Sequence, residues 1–103
     1  MQYFASNSAN VTEPSSLLMY KEHRTCVVIP AYNEEKLIAH TVGGIPDFID
    51  DIVVVDDVSK DRTAEIVQQL SEKDSRVRLI QHEENQGVGG AISSGYVWCR
   101  DND

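Results

Sequence analysis

The chain has 103 residues, 41% of them hydrophobic and 25% charged, and its formal net charge is −8. This composition is ordinary for one small globular domain or for a piece of a larger one. The negative charge and the lack of a basic stripe argue against a nucleic-acid partner, because no row of cations is present to neutralise successive phosphates. A single nucleotide stays compatible with this charge, since backbone amides, helix ends or a metal ion can meet its phosphates locally.

The first residues and the two cysteines carry little functional information. Residues 1–22 are rich in serine and asparagine, and we expect a flexible leader there, followed by an ordered domain over residues 23–103. The apolar cluster at residues 17–20 is too short for a signal-peptide core or a membrane span. Cys26 and Cys99 match no metal-ligand spacing, so we expect two reduced core thiols in a reducing compartment.

Three short apolar runs predict strands at residues 25–30, 52–56 and 77–80. The middle run, Ile52-Val53-Val54-Val55, is β-branched and does not alternate, so both of its faces require burial. Apolar residues at helical spacing follow each run, and the resulting βαβαβα pattern predicts an α/β fold with a parallel three-stranded sheet. We expect the strand order 3-2-1, with the first two helices on one face and the third on the other.

Local signals mark where the helices begin. Asn33 suits the N-cap of the first helix, and Ser59 and Asp61 suit the start of the second. The third helix crosses to the opposite face of the sheet. This reversal predicts a switch point at the carboxyl end of the first strand, between Tyr32 and Gly87, where open α/β sheets bind ligands.

The predicted ligand edge carries side chains suited to a nucleoside. Asp56 and Asp57 follow the central strand, and Asp57 is placed to accept a hydrogen bond from a ring N–H of uracil or guanine. Tyr32 is placed to stack on the base, which contributes about 1–3 kcal/mol. Simpler interpretations stay open: Tyr32 as a loop aromatic, either aspartate as a group that only holds the loop, and Glu34 as a first-turn helix charge.

Three segments of the chain together resemble the start of a glycosyltransferase family 2 domain. They are Val27-Val28-Ile29-Pro30-Ala31-Tyr32-Asn33-Glu34-Glu35, Val53-Val54-Val55-Asp56-Asp57-Val58-Ser59-Lys60-Asp61-Arg62-Thr63 and Asn85-Gln86-Gly87-Val88-Gly89-Gly90-Ala91. The likeness covers about residues 24–103 and implies a truncated GT-A fold, which is Rossmann-like. Among the subgroups, the chain looks most like the polyprenyl-phosphate sugar transferases.

The resemblance implies transfer of a sugar from a nucleotide-diphosphate sugar to an acceptor such as a polyprenyl phosphate, which is a membrane lipid. It assigns the base-binding places to Tyr32 and Asp57 and sets Glu34 near the nucleoside. A divalent metal, Mg or Mn, is implied for the complete enzyme, which would be cytoplasmic or associated with the membrane. The implied nucleotide-binding residues are Pro30, Ala31, Tyr32, Glu34, Asp56, Asp57 and Gly87.

The chain also departs from the family pattern. Val58 stands where the family often has glycine, and Val88 stands where the lipid-phosphate subgroup is often basic. The Asp-X-Asp metal element and the general base are expected beyond Asp103, so the chain would be inactive alone and bind nucleotide at about millimolar affinity or more weakly. Asp101-Asn102-Asp103 fits Asp-X-Asp by letter, but it follows a helical pattern and is interpreted as a solvated helix end.

Two other classes of function compete with the transferase. A non-catalytic nucleotide-binding module fits the same residues. A response-regulator receiver also has an acid pair after its first strand, but its phosphoacceptor should end a buried strand, whereas residues 96–100 continue a helical pattern. His23, His40 and His82 are scattered, and each is expected to be a surface or loop histidine.

The resemblance predicts one further property, which concerns the edge of the sheet. In the family fold, the strand that leads to the metal motif pairs along the free side of the first strand. Without it, residues 25–29 form an apolar edge with no charged gatekeeper, and such edges recruit another strand. We expect the edge to pair with a second copy or with the chain's own leader, or to cause aggregation.

Overall fold

The computed structural model describes residues 3–6, 17–21 and 24–102. The elements in chain order are β1 (Tyr3–Ser6), β2 (Leu17–Lys21), β3 (Arg24–Ala31), α1 (Ile38–Gly43), β4 (Asp51–Asp56), α2 (Thr63–Lys73), β5 (Val77–Gln81) and α3 (Gly87–Asp101). The strands of the described residues form one five-stranded sheet in the order β1-β2-β3-β4-β5.

The parallel part of the sheet confirms the predicted topology. β3 pairs with β4 and β4 pairs with β5, both in parallel, so β4 is the central strand of the three. All six residues of β4 are buried, as its unbroken β-branched run predicts. The observed ends of the three strands lie within one residue of the predicted ones.

The two faces of the sheet are buried against different helices. On one face, Val27 of β3 clusters with Val42 of α1 and Val67 of α2. On the other face, Val28 clusters with Ala91 of α3. Since each fully buried aliphatic side chain contributes about 1.5–3 kcal/mol, both layers stabilise the sheet. The third helix thus lies opposite the first two, as predicted, and the switch point forms where the crossovers reverse.

The N-terminal segment covers the free side of β3. β2 pairs antiparallel with β3, and β1 pairs antiparallel with β2. Pairing with the leader is one of the three outcomes expected for this edge, and self-association through it stays a prediction. These two strands differ from the flexible leader expected over residues 1–22, and the rest of that segment lies outside the described residues.

The predicted N-cap of the first helix is wrong. α1 begins at Ile38, and Asn33 instead adopts a φ of 53°, a left-handed conformation that asparagine tolerates. The Oδ1 atom of Asn33 accepts the N–H of Lys60 at 2.8 Å, so the side chain joins two loops rather than capping a helix. The start of α2 is confirmed, because Oδ1 of Asp61 accepts the N–H of Thr63 at 2.9 Å.

The expectation of two reduced thiols is also wrong. Cys26 of β3 and Cys99 of α3 form a disulfide, with Cα atoms 6.5 Å apart. Both residues are buried in the layer beneath α3. Their separation of 73 residues gives no hint of the pairing, because the two meet only when α3 packs across β3.

Candidate functional site

A cavity lies at the carboxyl ends of β3 and β4, beside the first turn of α3. It contains every predicted nucleotide-binding residue except Asp56, and α3 adds two apolar residues to its wall. The structure therefore brings together side chains from three separate motifs at the predicted switch point. The lining residues are Pro30, Ala31, Tyr32, Glu34, Asp57, Gly87, Val88 and Ala91.

The loop after β3 contributes an exposed aromatic ring, that of Tyr32, to the cavity wall. Tyr32 is 46% exposed although it borders the cavity, so its ring is accessible to a ligand. Glu34 also borders the cavity, and its backbone N–H donates to Oγ1 of Thr63 at 2.8 Å. The interpretation of Glu34 as a first-turn helix charge is wrong, because α1 begins at Ile38.

The opposite wall is held by the carboxylate of Asp57, which is 4% exposed. Its Oδ1 accepts hydrogen bonds from Nδ1 of His82 and from the N–H of Gln86, both at 2.8 Å. Its Oδ2 accepts the N–H of Gly87 at 2.8 Å. A carboxylate offers about four lone-pair sites, so one acceptor site on Oδ2 remains for a ligand.

These contacts keep Asp57 ionised. Burial by itself raises the pKa of this carboxyl, but the hydrogen bonds from His82, Gln86 and Gly87 together lower the pKa below its ordinary value. The stabilisation from this group is therefore complete above the ordinary aspartate pKa and is lost as pH falls through the lowered pKa. At neutral pH, Asp57 is a pure hydrogen-bond acceptor.

The structure places Asp56 at the last residue of β4. It is 3% exposed and is absent from the cavity wall. Its Oδ2 accepts the N–H of Ser59 at 3.4 Å, which helps to close the turn after β4, whereas its Oδ1 has no hydrogen-bond partner. The contact with Ser59 fits a residue that holds the loop, and the nucleotide-binding role of Asp56 stays a prediction.

Hydrogen bonds between the loops after β3 and β4 were not predicted from the sequence. The N–H of Asn33 donates to Oγ of Ser59 at 2.9 Å, and the N–H of Glu35 donates to Oδ2 of Asp61 at 3.2 Å. The short polar side chains after β4 were interpreted only as helix-start signals. Their contacts instead fix the loop that carries Tyr32 relative to Asp57.

Val58 occupies a strained backbone position within the second loop. Its φ is 65°, the left-handed conformation that the family's usual glycine adopts without cost, and such a conformation costs an L-residue about 1–2 kcal/mol. We expect Val58→Gly to raise the free energy of unfolding by about 1 kcal/mol in urea titrations, because glycine's extra unfolded-state entropy offsets part of the gain. Val58→Ala is the matched control, since it keeps the Cβ and should gain little. A destabilised Val58→Gly would contradict the strain argument.

His82 is a site residue that was not predicted from the sequence. It follows β5 directly, and its backbone N–H donates to the carbonyl oxygen of Asp56 at 2.9 Å. Its side chain is only 6% exposed and contacts Asp57 and Ser94, so it is neither a surface nor a free loop histidine. Its position directly after a predicted parallel strand is the sequence feature from which a place at the ligand edge could have been predicted.

The described residues contain neither a metal site nor a membrane span. Among them, no three His, Cys, Asp or Glu side chains are grouped so that they could hold a metal ion. The helices in this part of the chain are too short or too polar to cross a bilayer. The described residues therefore offer no ligand set for the divalent metal that the resemblance implies for the complete enzyme, and the presence of that metal stays a prediction.

The fold and the cavity define a Rossmann-like α/β domain with a cavity at its switch point. A family model described as "Glycosyl transferase family 2" matches residues 26–102. The chain belongs to glycosyltransferase family 2. The receiver alternative gains no support, because Asp101 is the last residue of α3 and does not follow a strand.

Curated proteins similar to this chain carry polyprenyl-phosphate transferase names, which confirms the likeness to that subgroup. A UDP-N-acetylglucosamine--dolichyl-phosphate N-acetylglucosaminyltransferase of Methanococcus voltae is 40% identical over 82 residues, covering 67% of this chain and 33% of the relative. A dolichyl-phosphate beta-glucosyltransferase of Trichomonas vaginalis is 39% identical over 87 residues, covering 74% and 26%. An undecaprenyl-phosphate mannosyltransferase of Micrococcus luteus is 32% identical over 77 residues, covering 73% and 32%.

The chain spans about a quarter to a third of the length of these relatives. The family model, which matches residues 26–102, includes all three motifs around the cavity. No solved structure matches the chain significantly.

Proposed function

We propose that this chain supplies the nucleotide-binding part of an enzyme that transfers a sugar from a nucleotide-diphosphate sugar to a polyprenyl phosphate. The observation that carries the proposal is the cavity at the switch point, whose walls include Tyr32, Asp57 and Gly87. The relatives support the subgroup, since one is named for UDP-N-acetylglucosamine and dolichyl phosphate. With a lipid acceptor, the complete enzyme works in the cytoplasm at a membrane surface.

Each wall of the cavity has a separate task in this proposal. The exposed ring of Tyr32 stacks on the base, and the remaining acceptor site on Oδ2 of Asp57 receives a ring N–H of uracil or guanine. Gly87, with a φ of 74° and no Cβ, lets the nucleoside approach the start of α3 closely. The transfer step itself is assigned to none of the described residues.

The balance of these contributions predicts weak binding. Stacking contributes about 1–3 kcal/mol, and a hydrogen bond to a charged group contributes about 1.5–3 kcal/mol. Association costs at least about 4 kcal/mol, and the described residues offer no metal to hold the diphosphate. The net gain is therefore at most about 2 kcal/mol, which corresponds to a dissociation constant of roughly tens of millimolar, at the weak end of the expected range of about 1 mM or higher.

We expect uridine or guanosine diphosphate to shift the NMR resonances of Tyr32 and Asp57 first. Tyr32→Ala should weaken binding about tenfold because it removes the stacking surface. Asp57→Asn should weaken it by a similar factor because it removes the charged acceptor. The matched controls are Phe48→Ala, which deletes another exposed aromatic ring, and Asp101→Asn, which neutralises an exposed carboxyl.

Three results would count against the proposed site or its energetics. Binding that Tyr32→Ala and Phe48→Ala weaken equally would show that the cavity wall plays no special part. Micromolar affinity, or shifts confined to the residues around Gly87, would show that the energetic argument or the placement of the base is wrong. Sugar transfer by the chain alone would contradict the view that its catalytic groups lie elsewhere.

A further inference from the structure

A hydrogen-bonded series of three polar side chains begins at the cavity wall and ends on α3. Oδ1 of Asp57 lies 2.8 Å from Nδ1 of His82, and Nε2 of His82 lies 2.7 Å from Oγ of Ser94. The side chains of His82 and Asp57 are only 6% and 5% exposed. Ser94 lies on α3, one helical turn before Trp98. These three side chains therefore connect the residues that directly follow β4 and β5 to α3.

In hydrolases with an Asp–His–Ser triad, the serine faces the substrate and the aspartate orients the histidine. Here the aspartate faces the cavity and the serine does not. The cavity wall includes Asp57 and does not include Ser94. The carboxylate is therefore the end that meets a ligand, and the partly buried Ser94 is the far end. His82 stands between them, in contact with the group that faces the cavity.

We propose that His82 is a positioning residue that holds the Asp57 carboxylate in place to select bases with a ring N–H. This inference rests on the proposed function. The ionised carboxylate only accepts hydrogen bonds, so Nδ1 of His82 carries the proton that the 2.8 Å contact requires. On the other side of the ring, Nε2 lies 2.7 Å from Oγ of Ser94, so hydrogen bonds hold both ring nitrogens.

Positioning matters because only one acceptor site of Asp57 stays open. His82 and the N–H of Gln86 both bond to Oδ1, and the N–H of Gly87 bonds to Oδ2, so the carboxylate has no freedom to rotate. The open site then presents a fixed lone pair to the ligand. Uracil and guanine offer a ring N–H there, whereas cytosine offers a ring nitrogen lone pair that the carboxylate repels.

The predicted effect of His82 concerns selectivity as well as affinity. In His82→Ala, Oδ1 loses its side-chain donor, and only the backbone N–H groups of Gln86 and Gly87 then hold the Asp57 carboxylate, less firmly than before. We expect the affinity for uridine diphosphate to fall about tenfold, while the weak affinity for cytidine diphosphate changes little. The ratio of the two affinities is measured from the initial slopes of NMR shift against nucleotide concentration. A general loss of packing would weaken both nucleotides alike and leave this ratio unchanged.

Conservative variants separate positioning from folding. The amide nitrogen of His82→Asn lies as many bonds from the backbone as Nδ1, so this variant should keep the selectivity within about twofold. His82→Gln extends past Asp57 and should behave like His82→Ala. His40→Ala, at an exposed histidine of α1, is the matched control and should change nothing. Circular dichroism on each variant verifies that the domain is folded.

The unliganded chain gives an independent test through the ¹⁵N resonances of the His82 ring. A protonated Nδ1 is expected, because it faces the Asp57 carboxylate at 2.8 Å, and an unprotonated Nδ1 would overturn the inference. An unchanged ratio of uridine to cytidine diphosphate affinity in folded His82→Ala would overturn it as well, while leaving the proposed function intact. Absence of nucleotide binding by the wild-type chain would instead overturn the proposed function, and the role of His82 with it.

Discussion

Reduction of the Cys26–Cys99 disulfide is expected to lower the free energy of unfolding by about 2–4 kcal/mol. The bond joins residues 73 apart, and closing a loop of this length removes much of the entropy of the unfolded chain, about 4 kcal/mol in the chain-entropy account. A domain of this size has about 5–15 kcal/mol of stability in total. The bond also ties β3 to α3, whose first turn lines the cavity.

The measurement is a pair of urea titrations with and without reductant. With an m value of about 1 kcal/mol/M, the expected fall in the urea midpoint is about 2 M or more. The matched control is the double variant Cys26→Ala with Cys99→Ala, whose midpoint should not respond to reductant. Alkylation of both thiols in unfolded, unreduced wild-type protein would contradict the disulfide and restore the expectation of two free thiols.

The arrangement around the cavity could be predicted where it depends on strand polarity alone. Ile52 to Val55 required burial on both faces, which made β4 central and placed Asp57 at the carboxyl edge of the sheet. Tyr32 follows the neighbouring parallel strand, so it had to reach the same edge. Gly87 joined them because α3 returns on the opposite face.

Contacts that depend on register or on side-chain conformation could not be predicted in the same way. Whether His82 reaches Asp57 depends on how far β5 runs before it turns, and whether it meets Ser94 depends on the position of α3 along the sheet. Asn33 was interpreted only as a helix cap, but asparagine also tolerates a left-handed turn position, and it takes that position here, where the N–H of Lys60 donates to its side chain from another loop.

Gly95→Ala is expected to destabilise the domain by about 2 kcal/mol or more. A Cβ built on Gly95 would lie 2.2 Å from Cγ1 and 2.9 Å from Cγ2 of Val28, which is fully buried in β3. Overpacking a filled core costs about 1–3 kcal/mol, and contacts this short, against a rigid β-branched side chain in the central layer, favour the upper end. The better helix propensity of alanine offsets only about 1 kcal/mol of the loss.

A glycine-to-alanine substitution at another position of α3 should have the opposite effect and stabilise the domain. A Cβ on Gly89 would meet nothing within 4 Å, so Gly89→Ala is expected to gain about 0.5–1 kcal/mol from helix propensity alone. Urea titrations of Gly95→Ala and Gly89→Ala measure how the same chemical change alters the free energy of unfolding at a packed position and at an open one. Equal changes in stability for the two variants would show that the close approach of α3 to β3 is not the reason why position 95 requires glycine.

A double-mutant cycle with Val28→Ala attributes the loss to this contact. Val28→Ala alone should destabilise the domain, because it leaves a cavity in the layer beneath α3. In the double variant, the methyl group introduced by Gly95→Ala fills part of that cavity instead of colliding with the valine side chain. We expect the double variant to be more stable than the sum of the two single losses predicts, by about 1–2 kcal/mol. Additive losses would mean that Gly95 is required for a reason other than its contact with Val28.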